Sequence, residues 1–178
     1  MGELVRIRDA MLAEVRAHYT DKQVTTVAWH DGEFDLKAIE RYSRGAPAII
    51  FSFGDSNVSK RGGHVFIGIE IVAVLLTRAM ESLDRTTWIL NLTETFLQLL
   101  HSNTWADRAP STSKTVNAYS DSLDRLGLSM CVVQWDDVVE LPDDTALSTL
   151  DDFLLAHGTL HTGEQETEQL ITIPNEVE

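Results

Sequence analysis

Leu4, Ile7, Met11 and Val15 recur at helical spacing with Arg6, Glu14 and Arg16 on other faces, and this periodicity predicts an amphipathic helix over residues 3–19. Its apolar stripe needs a sheet to cover. Val24, Val27 and Trp29 form a short strand pattern that stops at His30-Asp31-Gly32, and residues 35–43 supply one or two helical turns before Gly45 and Pro47. Residues 48–53 and 65–77 are then rich in β-branched and aromatic side chains. Between them stand Gly54-Asp55-Ser56-Asn57 and Arg61-Gly62-Gly63, which together predict a long-looped β-hairpin. In the second strand Val65, Ile67, Ile69 and Ile71 share one face with Phe66, Gly68 and Glu70 on the other, and after Ile71 both faces are apolar. That change predicts a strand running from an exposed half into a region covered on both sides.

A second helix is predicted over residues 83–102, where Ile89, Leu92, Phe96, Leu99 and Leu100 make a broad stripe flanked by Trp88 and Leu97. Residues 103–120, with Pro110 and scattered Ser, Thr and Asn, read as a long loop. A strand pattern resumes over residues 128–141 and closes at Pro142. Residues 145–156 offer a short helix with Leu147, Leu150, Phe153 and Leu154 on one side and Gly158 as its stop. Beyond it, Leu170-Ile171-Thr172-Ile173 is an apolar island in a polar stretch. The expected fold class is therefore α+β, a mainly antiparallel sheet with two α-helices on one face and a long hairpin. The expected domains are residues 1–142 and an acidic C-terminal arm, residues 143–178.

Charge sharpens this division. The net charge of −14 is unevenly spread: residues 1–135 hold all 14 Lys and Arg against 16 acids, while residues 136–178 hold 12 acids and no Lys or Arg. Gripping nucleic acid needs clustered basic side chains to neutralise phosphates, so DNA is expected to pass near such a chain without being held. The longest apolar run, residues 71–76, is far short of the roughly 20 residues that cross a bilayer, and the N-terminal segment has no signal-peptide core. A cytoplasmic protein is expected. Cys131 is the only cysteine, which leaves neither an intramolecular disulfide nor a cysteine metal cluster, and its place in an apolar run assigns it to the core.

No nucleophile elbow, dinucleotide fingerprint, P-loop or metallopeptidase helix occurs in the chain, so no enzyme, cofactor or metal site is expected. His157 and His161 stand four apart as a zinc pair would, but Gly158 should end the helix between them. Asp136-Asp137 and Asp151-Asp152 read as solvated surface because each pair alternates faces. The glycine-bearing loop with Lys60 and Arg61 lacks the helix N-terminus that phosphate cradles use, and reads as a hairpin tip. Met130, Val132 and Trp135 read as core and interface packing. The candidate functional residues are accordingly those of an assembly interface: Phe53, Asp55, Asn57, Lys60, Arg61 and His64 on the hairpin tip, and Leu170, Ile171 and Ile173 as the anchor of the arm.

The N-terminal helix, the segment PAIIFSFGDSNVSKRGGHVFIGIEIVAVLLTR (residues 47–78), the helix WILNLTETFLQLLHSNTW (residues 88–105) and the strand MCVVQWDDVVELP (residues 130–142) together resemble the Mu-like phage family of small tail proteins, the tail terminators and tail-completion proteins. The resemblance covers about residues 3–142 by overall pattern and more weakly the acidic extension. It implies a structural virion protein of a tailed phage or prophage, assembled in the bacterial host cytoplasm. Such a protein forms a hexameric ring on the last ring of the tail tube, ends tube polymerisation and presents a surface for head–tail joining. The implied partners are further copies of the chain, the tail tube protein and a neck or head-completion protein, with genomic DNA passing through and no membrane. Two alternatives stay open on the residues alone: a neck, head-closure or other tail-completion subunit, and a small intracellular enzyme. A deep pocket with convergent polar side chains would favour the enzyme, and an extended hairpin with an apolar patch would favour the ring subunit.

Overall fold

A computed structural model describes residues 2–32, 34–79, 84–102, 110, 112–118, 121–141, 157–162 and 165–170. The chain divides into two units, Met1–Leu141 and Pro142–Glu178. In the first, helix α1 (Glu3–His18) buries Ile7, Met11 and Val15, one residue per turn along a single stripe, while Glu3 and Arg6 pair at 2.6 Å on the outside. Helix α2 (Leu36–Ser43) starts where the Asp35 carboxylate accepts the Ala38 amide at 2.8 Å.

Helix α3 (Arg85–Ser102) has a fuller cap. The Asp84 carboxylate accepts the amides of Thr86 and Thr87, each at 3.0 Å, and the Thr87 hydroxyl at 2.6 Å. These bonds satisfy amides that the first turn leaves without helical partners. The Thr87 hydroxyl foremost, with the two amides, holds the Asp84 carboxyl below its ordinary 3.8.

The sheet of this unit has five strands in the order β1-β2-β3-β5-β4: β1 (Thr26–Trp29), β2 (Ala48–Arg61), β3 (His64–Arg78), β4 (Lys114–Ala118) and β5 (Leu128–Leu141). It is mixed: β1 lies parallel to β2, and the other three pairings are antiparallel. Because side chains alternate across a strand, successive residues of the central strands feed two different cores. Ile49, Phe51, Ile71, Ala73, Leu75, Cys131, Val133 and Trp135 join the stripes of α1 and α3 on one face. Ala48, Ile50, Val74, Leu76 and Leu128 join Ile39 of α2 and Leu123 of α4 (Asp121–Arg125) on the other.

The two helices expected on one face are α1 and α3, and the expectation lacked this second layer of α2 and α4. The doubly apolar run after Ile71 is what demands it, since an apolar face left in water forfeits about 25 cal/mol for each Å² of apolar area. Phe96 is fully buried at the centre of the larger layer, its ring centroid 6.0 Å from that of Phe51 and 6.4 Å from that of Trp135. Cys131 lies in the same layer, and burial pushes its thiol up. Met130 and Val132 are partly buried against the smaller layer.

Within the expected loop of residues 103–120, β4 pairs residues 114–118 with Met130–Gln134 of β5. Four of its five residues are exposed, so backbone pairing makes this strand and no apolar alternation marks it. In the second unit β6 (His157–Thr162) and β7 (Gln165–Leu170) form a two-stranded antiparallel hairpin in which His157 is opposite Leu170. Gly158 is therefore within a strand and does not act as a helix stop, and His157 and His161 share that strand. The helix expected over residues 145–156 and the paired acids Asp151-Asp152 lie outside the described residues. Among the described residues no helix is long and apolar enough to cross a membrane.

Candidate assembly surface

Strands β2, β3 and β5 are each 14 or 15 residues long, and the outer half of β2 is exposed while Ile69 of β3 and Val139 of β5 stay buried in the larger core. The expected long loop is thereby corrected: residues 54–61 are strand, and the connection is the two-residue turn Gly62-Gly63, with φ of 59° and 92°. Positive φ at both central positions gives a turn whose twist matches the right-handed twist of the flanking strands, and glycine adopts it without strain.

The register slips once, between Phe53 and Ser56, where Gly54 and Asp55 stand opposite the single residue Glu70. This β-bulge re-aims the side chains beyond it. A Cβ on Gly54 would lie 3.2 Å from Cδ and 3.3 Å from Cβ of Glu70, so the glycine gives the Glu70 side chain room to lie across the bulge.

Where the outer half of β2 begins, Phe53 is half-buried, edge-on to Trp29 at 4.5 Å between ring centroids. Beyond it Asp55, Asn57, Lys60, Arg61 and His64 are all exposed, and Val58 is 69% exposed although it is a strand valine. Among the described residues neither Lys60 nor Arg61 has an ion-pair partner. His64 Nδ1 lies 2.7 Å from a Glu140 carboxylate oxygen, which ties the tip of β3 to β5. Strand β1 pairs β2 only from Ala48 to Phe51, so residues 53–61 carry no strand on their outer side among the described residues.

The opposite margin has the opposite charge. Asp136, Asp137 and Glu140 lie along β5, and Asp136 stands directly across from Glu70 on β3. Like charges placed opposite each other across a strand pair are destabilising until something positive approaches. Glu70, Asp136 and Asp137 line an open depression of about 440 Å³ together with Asp55 and Asn57. Among the described residues no group of three or more His, Cys, Asp or Glu side chains is arranged to hold a metal ion. What the arrangement offers chemically is surface: a strand edge uncovered among the described residues, a basic tip and an acidic wall on one sheet.

No family model matches this chain. It is similar along its length to a prophage protein. The Mu-like prophage FluMu protein gp37 of Haemophilus influenzae is 24% identical to it over 185 residues, an alignment that spans 99% of this chain and 93% of that protein.

Six of the nine residues expected at an assembly interface, Phe53, Asp55, Asn57, Lys60, Arg61 and His64, are thus brought together on this sheet. Leu170 ends β7 in the second unit, and Ile171 and Ile173 lie outside the described residues. Sequence reading missed Val58, Glu70 and Asp136 as members of the surface. The loop-like composition of residues 54–61 concealed a strand, and only the cross-strand register places Glu70 beside Asp136.

Proposed function

We propose that this chain is a structural tail protein of a Mu-like phage or prophage, a tail terminator whose copies form a ring on the end of the tail tube. The similarity over nearly the full length of both chains to a Mu-like prophage protein supports the phage part of this reading. A rigid sheet covered by helices on both faces, with a charged hairpin tip left exposed, suits a ring subunit, which must bind neighbours through preformed surfaces. The ring ends tube polymerisation and contacts the tube protein on one side and a neck or head-completion protein on the other. The net charge of −14 suits a channel through which DNA passes without being held.

Deleting the coding sequence from the phage or prophage that carries it should give tails of uncontrolled length, and supplying the chain in trans should restore a single length measured by electron microscopy. Tails of one length in its absence would overturn the reading.

A further inference from the structure

We infer that neighbouring copies of this chain join margin to margin along this sheet, the β2 margin of one copy against the β5 margin of the next. Strand β3 separates these margins, so each copy carries one on either side of the same three-stranded segment. The β2 margin is uncovered among the described residues, ends in Lys60 and Arg61 without ion-pair partners there, and exposes 69% of Val58. An edge strand of this length left in water is a template for further pairing, and among the described residues it is guarded by its bulge and its basic tip.

The β5 margin supplies the complement. Asp136 and Glu140 are both exposed, and Glu70 stands across from Asp136. With Lys114 beside that pair and His64 on Glu140 the acids still outnumber the nearby cations, a surplus that a neighbour's Lys60 and Arg61 would meet. Alternation around the bulge puts Arg61, Glu70, Asp136 and Glu140 on one face of the sheet. A margin-to-margin approach of two copies therefore brings Arg61 of one toward Asp136 and Glu140 of the other. Two different patches meet, so the joint is heterologous and closes into a ring when the rotation per copy divides the circle.

The inference rests on the reading of the chain as a ring subunit, and charge exchange in the full chain tests the two separately. One variant carries Lys60→Glu and Arg61→Glu, the other Asp136→Lys and Glu140→Lys. All four positions are exposed, and matching circular dichroism and melting curves show that each variant folds. Each alone should lose the ring and run as a monomer in light scattering. An equal mixture should regain it, because alternating copies restore opposite charge at every joint, and a single chain carrying all four exchanges should assemble as wild type does. A wild-type ring that survives either variant, or variants that fail singly and fail equally when mixed, would overturn the joint and leave the ring. A wild-type chain that stays monomeric would overturn both.

Discussion

Phe96→Ala is the sharpest probe of the fold that carries this surface. Phe96 has no exposed surface and stands between Phe51 of β2 and Trp135 of β5, so its ring joins α3 to the strands that carry the surface. Truncation removes the burial of a whole aromatic ring and leaves a cavity that flanking rings cannot fill, which together cost about 3–5 kcal/mol. A domain of this size has a net stability of about 5–15 kcal/mol, so the variant should remain folded at 25 °C with much of its margin gone. Urea melts followed by far-UV circular dichroism and by tryptophan fluorescence should show a lower midpoint with an unchanged slope, since the surface exposed on unfolding is nearly the same. Val58→Ala serves as the control and should shift stability by less than about 0.5 kcal/mol because the side chain is already in water. A loss below about 1 kcal/mol in Phe96→Ala would refute the placement of this helix face against the sheet.

Tyr19→Phe should be neutral or stabilise by up to about 1 kcal/mol in the same melts, because the Tyr19 hydroxyl is buried with no hydrogen-bond partner among the described residues and burial pushes its pKa far up. A clear loss would mean that the hydroxyl is satisfied. Asp84 titrates lower in the folded chain than in the unfolded one, so its contribution is fully present above 3.8 and is lost as pH falls through the lowered folded value. Asp84→Asn should therefore flatten the acid limb of stability against pH, and an unchanged limb would contradict the cap. The Cys131 thiol should react with a thiol reagent only slowly until denaturant is added, since it is buried and burial disfavours its thiolate. Fast labelling of the native chain would place it at the surface.

The parts of the fold that were legible in the sequence are those where burial imposes a period. The Ile7, Met11 and Val15 stripe, the α3 stripe and the long β5 run each bury one face or both, and selection for that burial writes 3.6- and 2-residue patterns into the chain. Strand β4 and the outer half of β2 escaped because their side chains are exposed, so backbone hydrogen bonds alone make them strands. The second helical layer was signalled by the two-sided apolar run after Ile71, yet α2 and α4 are short and bury few residues each. The basic tip was visible as Lys60-Arg61 beside a glycine pair. Its acidic counterpart was not, because Glu70 and Asp136 are 66 positions apart and only strand register makes them neighbours.

The central claim, that copies of this chain close into a ring, is tested most directly by the molar mass of the purified full chain from light scattering across a concentration series, with negative-stain class averages of the same sample. A closed ring is expected, with a mass near six times the 19.9 kDa of one chain and a central channel in the averages. A mass that stays at one chain at every concentration, or averages showing only open filaments, would contradict it.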